Sequence, residues 1–231
     1  MTETSERIYL RQIQIGPMAN YVYLIGDMET REVMVVDPAW DVPAILDVVD
    51  RDDMKLTGAL VTHFHPDHIG GELFGHNIPG VPQLLELRPV KIHMHKEEAP
   101  YVKQTLGLES SDFTPVDGET TVHVGKIPIR ILHTPGHTPG SLCFLVGGNL
   151  VSGDTLFIGS CGRVDLPGSN PSDLYYSLTQ KLKKLPDDTV LYPGHHYAAE
   201  NTSTIAREKK TNAFMRFERL EDFLQMMGYP G

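Results

Sequence analysis

The sequence predicts an α/β fold in a single domain. Short β-branched runs recur with turn residues between them, helical patterns are interleaved with those runs along the whole chain, and no linker, repeat or low-complexity tract divides the 231 residues. The strand-length runs are Tyr21–Ile25, Val33–Asp37, Ala59–Thr62, Lys91–His95, Ile127–Leu132, Leu142–Val146 and Thr189–Tyr192, with a shorter run at Asn149–Val151. Several are apolar throughout, as strands covered on both faces are. Asp41 is placed to cap a helix over Val42–Val49, with Pro43 tolerated in its first turn. Helical spacing of apolar residues also marks Lys96–Leu106, Ser172–Lys184 and Phe214–Met227. The domain is expected to span residues 1–231, with 202–231 a helical segment packed on it and Phe214, Phe217, Leu220, Leu224 and Met227 facing the core.

Composition narrows the function. Twenty Lys+Arg against thirty Asp+Glu give a net charge of −10 with no basic block. Binding to nucleic acid needs clustered cations, so that class of partner is excluded. The polar start Met1–Arg7 lacks the apolar run of a secretory signal, and no stretch approaches the ~20 apolar residues of a membrane span. A cytoplasmic protein with no membrane partner is expected. Cys143 and Cys161 are too few for a disulfide framework, which points to a reducing compartment. The oligomeric state is left open.

Eleven histidines are the unusual feature. The densest group is Thr62-His63-Phe64-His65-Pro66-Asp67-His68-Ile69-Gly70, directly after the apolar run Gly58–Val61. Residues i and i+2 of an extended chain point the same way, so His63 and His65 leave the strand end as a pair. Pro66 turns the chain and brings Asp67 and His68 near them. Imidazoles and carboxylates packed this tightly call for a cation, and neutral imidazole with carboxylate suits zinc, iron or manganese. The same grammar of apolar strand, Gly/Pro turn and ligand-type residue recurs at His137 in Thr134-Pro135-Gly136-His137, at Asp154 in Ser152-Gly153-Asp154, and at His195 in Tyr192-Pro193-Gly194-His195. The absence of cysteine from the set favours an open, water-bearing site over a closed structural one. His93 and His95 share the i, i+2 spacing but lead into a helical pattern, and His133 reads as a supporting or core residue. His76, His123 and His196 carry no pattern, although His196 is adjacent to His195 and a candidate for the pocket mouth.

Together these motifs resemble the metallo-β-lactamase fold superfamily over most of the chain, from Asp37 through His195. The resemblance implies a four-layer αββα sandwich with a metal site at one edge of its two sheets. By that likeness His63, His65 and His137 hold one metal, Asp67, His68 and His195 a second, and Asp154 bridges them, while Asp37 orients ligands. A two-metal centre activates water at neutral pH and polarises a carbonyl, which implies hydrolysis of an ester, thioester or lactam. Asp67 would orient the nucleophile.

Within the superfamily, Cys161-Gly162-Arg163 just after Asp154 resembles the glutathione-binding loop of the hydroxyacylglutathione hydrolases, the glyoxalase II family. Ala206–Lys210 resembles that family's basic stretch. The resemblance implies a glutathione conjugate as small-molecule substrate, with Arg163 and Lys209 binding it and two divalent ions, zinc first, as cofactors. The segments Cys161–Asp165, Tyr192–Tyr197 and Ser203–Ile205 equally resemble the persulfide dioxygenases. That branch implies one iron on His63, His137 and Asp154, acting on glutathione persulfide. A lactonase or β-lactamase activity is a third reading that the fold allows.

Overall fold

The computed structural model describes residues 7–229. The first half of the chain contains β1 (Ile8–Ile15), β2 (Asn20–Asp27), β3 (Glu32–Val36), α1 (Val42–Arg51), β4 (Lys55–Leu60), the single turn α2 (Pro66–Ile69), β5 (Gly71–Leu73), β6 (His76–Ile78), α3 (Val81–Leu87), β7 (Lys91–His95), α4 (Ala99–Leu106) and β8 (Thr114–Val116). The second half contains β9 (Thr120–Val124), β10 (Ile127–His133), β11 (Leu142–Val146), β12 (Asn149–Val151), β13 (Leu156–Phe157), β14 (Ser160–Cys161), α5 (Pro171–Tyr176), β15 (Val190–Tyr192), β16 (Ser203–Thr204), α6 (Ile205–Thr211) and α7 (Leu220–Met226). Two mixed six-stranded sheets result, ordered β1-β2-β3-β4-β7-β8 and β16-β15-β12-β11-β10-β9.

The period-2 geometry of the strands divides the apolar residues into three cores, and three cores require four layers. Val22, Leu24, Val33, Val35, Ala59 and Val61 point outward from the first sheet onto Val42, Ile45, Leu46 and Val49 of α1, Leu84 of α3 and Val102 of α4. Their neighbours Tyr21, Tyr23, Ile25, Met34, Val36 and Leu60 point the other way and meet Ile127, Ile129, Ile131, Leu142, Phe144 and Val151 between the sheets. Leu132, Cys143, Leu150 and Leu191 then face Leu174, Leu178, Ile205 and Phe223 on the far side of the second sheet. This is the expected αββα sandwich, and it explains why so many strands read as continuously apolar.

The strand directions bring the site loops together. β3, β4 and β7 are parallel neighbours, so Asp37 and the His63–His68 segment leave the same end of the first sheet. β10 and β12 are each antiparallel to β11, and β12 is parallel to β15. The chain therefore leaves β10, β12 and β15 at one edge, toward His137, Asp154 and His195 respectively. At that edge the Leu142 amide donates to the Thr62 carbonyl (2.8 Å) and joins the two sheets.

Local expectations fare unevenly. Asp41 caps α1 as expected, accepting from the Ala44 amide at 3.0 Å. The helix expected over Lys96–Leu106 begins as a 3₁₀ turn at Lys96–Glu98, and that over Ser172–Lys184 passes from α5 into a π-type turn and then a 3₁₀ turn. Phe214–Met227 is not one helix: a 3₁₀ turn at Ala213–Met215 is separated from α7. The break moves full burial to Met215 and Phe223, while Phe214, Phe217, Leu220 and Met227 pack only partly against them. Strands β1 and β9 lie at sheet edges with many half-exposed residues, which weakens their apolar signal. Cys143 and Cys161 are free and buried. Among the described residues, no helix is long and apolar enough to cross a membrane. Phe144 is fully buried between the sheets. Its replacement by Ala should cost about 3–5 kcal/mol in urea unfolding, and a loss below about 1 kcal/mol would contradict this packing.

Candidate metal centre

All seven ligand-type residues of the sequence motifs converge at the shared edge. His63, His65 and His137 present ring nitrogens within 4.8 Å of one another, as do Asp67, His68 and His195 with their ligand atoms. Asp154 stands between the two groups. Its Oδ1 lies 3.4 Å from His68 Nε2, and its Oδ2 lies 3.4 Å from His195 Nε2 and 3.7 Å from His137 Nε2.

Hydrogen bonds at the far side of each ring fix which nitrogen is free. His137 Nδ1 is 2.8 Å from the Arg163 carbonyl and His195 Nδ1 is 3.0 Å from the Met18 carbonyl. Carbonyls only accept, so both rings carry their proton on Nδ1 and turn Nε2 inward. His68 Nδ1 meets Asp37 Oδ2 at 2.9 Å with the same result. Thr62 donates its hydroxyl to Asp37 Oδ2 (2.6 Å), so Thr62 Oγ1 is left to accept from His63 Nδ1 at 2.9 Å. His65 differs, because its Nδ1 lies 3.0 Å from His137 Nε2 and is the inward atom.

Asp37, at a left-handed φ of 53°, also accepts from the Thr62 amide at 2.7 Å, so its oxygens are committed to holding Thr62 and His68. The buried atoms His63 Nε2 and Asp154 Oδ1 have no hydrogen-bond partner among the described residues. An unpartnered buried lone pair on each group is the condition that a cation relieves, so this donor set fits a divalent metal.

Electrostatics separates the rings. Burial, reinforced by neighbouring imidazoles, holds His63 far below the ordinary histidine value and His65 at about 3; burial also lowers His137. Burial opposes charge on His68 and His195 too, but Asp67 and Asp154 outweigh it, raising His68 well above the ordinary value and His195 to about 9. The same contacts overcome the burial of Asp67 and Asp154 and keep both carboxylates ionised. The Nε2 atoms of His68 and His195 lie 3.2 Å apart, so without a cation the carboxylates favour protonation of this pair as a unit.

Several supporting residues carry no sequence signal. Asn20 donates to the Asp67 carbonyl (3.0 Å) and to Asp67 Oδ2 (2.9 Å), and it accepts from the Trp40 indole at 3.0 Å. Glu98 is fully buried and its two oxygens accept from the amides of Phe64 (2.7 Å) and Gly140 (2.6 Å), tying the His63–His65 segment to the His137 loop. Burial pushes its carboxyl up to about 7. Gly194 is required by contact, since a Cβ there would stand 2.3 Å from Asp154 Oδ1. Tyr197 stacks on His195 with centroids 4.6 Å apart.

The other histidines lie outside the centre. His95 and His133 stack face to face at 3.9 Å with planes 13° apart; with Glu97 they bring ligand-type atoms within 4.8 Å of one another in a separate group, in which His133 Nε2 is 2.8 Å from the Pro139 carbonyl. His196 bonds Gln14 and does not line the cavity at the centre.

That cavity measures about 710 Å³ and is lined by His65, Asp67, His137, Asp154 and His195, with Arg163 and many apolar side chains. The Arg163 guanidinium grips Asp165 through two 2.7 Å contacts. Lys209 is elsewhere, on α6, bonded to the Leu185 carbonyl (3.2 Å) and Asp187 (2.6 Å), and it does not line the cavity.

The family model of the metallo-beta-lactamase superfamily matches residues 15–195. The chain belongs to that superfamily. It is 30% identical to the probable polyketide biosynthesis zinc-dependent hydrolase BaeB of Bacillus velezensis, over 89% of this chain and 86% of that protein. It is 29% identical to the mitochondrial persulfide dioxygenase ETHE1 of Homo sapiens (96% and 81% covered) and 31% identical to a hydroxyacylglutathione hydrolase of Shewanella halifaxensis (90% and 88%). Among solved structures, ETHE1 from Myxococcus xanthus superposes with a TM-score of 0.81 at 32% identity, covering 95% of this chain and 90% of that one. TTHA1623 in a di-iron-bound form superposes with a TM-score of 0.71 at 29% identity (88% and 99%). These relatives place the chain in the branch that holds both glyoxalase II and persulfide dioxygenases.

Two outcomes test this arrangement. Zinc uptake by the metal-free protein at about pH 7.5 should release protons from His68 and His195, so binding enthalpies should track the ionisation enthalpy of the buffer; buffer-independent enthalpies would contradict it. Glu98→Gln turns an amide NH₂ toward a backbone N–H, and should lower stability by about 1–3 kcal/mol in thermal unfolding and weaken metal retention; wild-type values for both would remove its bridging role.

Proposed function

We propose that the protein is a metal-dependent hydrolase that cleaves a thioester of the hydroxyacylglutathione type. The observation that carries the reading is the pair of three-residue donor groups, each with its ligand atoms turned inward, flanking one shared carboxylate. On this reading His63, His65 and His137 hold one divalent ion, Asp67, His68 and His195 hold another, and Asp154 joins them. Zinc is the first choice, with iron and manganese compatible with the same donors. Metal bound there lowers the pKa of a water molecule and polarises a carbonyl oxygen.

The chain's own residues supply the rest. Asp67 is ionised, is fixed by Asn20 and lines the cavity, so it is placed to hold and orient a proton of the attacking water. Addition of water breaks the carbon–sulfur bond and yields a carboxylate and a thiol. Apolar side chains around the centre limit its access to bulk water, which strengthens every charge interaction within it. A carrier carboxylate at the rim can take the place of Asp165 on the planar fork of Arg163. Lys209, held by Asp187, has no part in this scheme.

The likeness to ETHE1 supports a second reading, a dioxygenase acting on glutathione persulfide with one iron on His63, His137 and Asp154. Metal analysis separates the two. About two equivalents of metal together with acylglutathione cleavage is the expected result, whereas about one equivalent of iron with oxygen uptake on glutathione persulfide would establish the alternative. His63→Ala should lose metal and activity together. Arg163→Ala should raise KM for a glutathione thioester several-fold more than for a small neutral thioester, and equal effects on both would remove its carrier role.

A further inference from the structure

The cavity has a wall that owes nothing to the metal ligands. Phe64 stacks on Tyr101 of α4 with centroids 4.4 Å apart and planes 9° apart, and Leu73 and Phe74 of the β5–β6 hairpin line the same cavity. The base of the hairpin is closely packed: a Cβ at Gly80 would stand 2.1 Å from the Ile69 carbonyl oxygen, and one at Gly71 would stand 2.7 Å from the Thr105 side chain at Cγ2. Its tip is free, with nothing within 4 Å of a Cβ at Gly75.

The tip is also built at a cost. Leu73 and His76 form the last pair of the ladder, so Phe74 and Gly75 are a two-residue turn, and both have positive φ, 51° and 78°. Such turns select Asn, Asp or Gly at the first position, because a side chain such as Phe is strained there. Phe74 is moreover 87% exposed, so its ring gains almost nothing from packing in the free protein. Backbone strain at an aromatic residue that lines the cavity, with no packing in the free protein to offset it, marks a position set by something other than folding.

We propose that Phe74 and the Phe64–Tyr101 stack form the subsite for the acyl side of the substrate, and that this acyl group is apolar, aromatic or a medium-length alkyl chain, and not a small hydroxyacyl group. The proposal rests on the hydrolase reading for the position of the scissile carbonyl and for the thiol carrier, and it replaces the hydroxyacyl group of that reading by an apolar one. An apolar acyl group removes the exposed Phe74 and the half-buried Leu73 and Tyr101 from water on binding. A short hydroxyacyl group covers little of that apolar surface, although Gln104, Thr105 and the Tyr101 hydroxyl on α4 offer polar groups beside it.

The experiment compares kcat/KM for phenylacetyl, hexanoyl, acetyl and lactoyl thioesters, each on glutathione and on N-acetylcysteamine. The phenylacetyl thioester should exceed the lactoyl thioester about tenfold or more on both thiols. In Phe74→Ala the phenylacetyl-to-acetyl ratio should fall about tenfold, which corresponds to ~1.4 kcal/mol. Phe74→Asn, which suits a positive φ, should raise Tm while lowering the same ratio, so loss of selectivity is separated from loss of folding. A preference for lactoyl, or an unchanged ratio in both variants, overturns the subsite. If no thioester is cleaved, the hydrolase reading has failed, and the subsite is then judged by the affinity of thioether ketones carrying the same acyl groups. Phenylacetyl analogues should bind about tenfold more tightly than acetyl ones in wild type and lose that advantage in Phe74→Ala; equal affinity in wild type overturns it.

Discussion

Five imidazoles and two carboxylates share a buried seam between two sheets, and their mutual placement depends on charge balance. Without a cation, the two carboxylates favour protonation of the coupled His68–His195 pair. The other three rings are kept neutral by burial and by one another. The centre is thus divided before any metal enters, with neutral donors on one side and a group biased toward protonation on the other. Metal binding at such a site amounts to exchange of protons for a cation.

Holding that arrangement occupies most of the surrounding polar groups. Asp37 spends its oxygens on Thr62 and His68, and Thr62 in turn sets the tautomer of His63. Glu98 clamps the two loops that supply His63, His65 and His137, while Asn20 links Asp67 to Trp40. Each partner reaches its ligand from a different strand end, which is why two sheets with several strands emerging at one edge suit the task. Small displacements of any loop would turn a lone pair away from the centre, and the contacts that prevent this are buried and short.

Around this polar core the cavity is mostly apolar, although the protein carries a net charge of −10. Arg163 is the cation at its rim and is already balanced by Asp165. On the proposed function an anionic carrier would gain by partner exchange at one point, not by a general positive field, and the apolar wall would be left for the remainder of the substrate.

Much of the centre was legible in the sequence because its grammar is local. His63 and His65 share one face of an extended segment, Pro66 forces the turn that returns Asp67 and His68, and His137, Asp154 and His195 each follow a strand and a Gly turn. Those relations depend only on backbone geometry within a few residues. The strand and helix classes followed for the same reason, while the break between Met215 and Leu220 did not, since packing of Phe223 against Leu174 and its neighbours outweighed helical spacing. Asn20, Thr62 and Glu98 were silent because each acts on residues fixed by chain reversal, in two cases across 34 or more positions. Lys209 shows the converse: a local basic stretch suggested a substrate contact, and the fold turned it toward Asp187. By itself the sequence determined the ligand types and the local turns that present them. Only the tertiary structure decided which lone pairs face inward and which side chains wall the cavity, because those depend on partners brought near by strand order and not by neighbourhood along the chain.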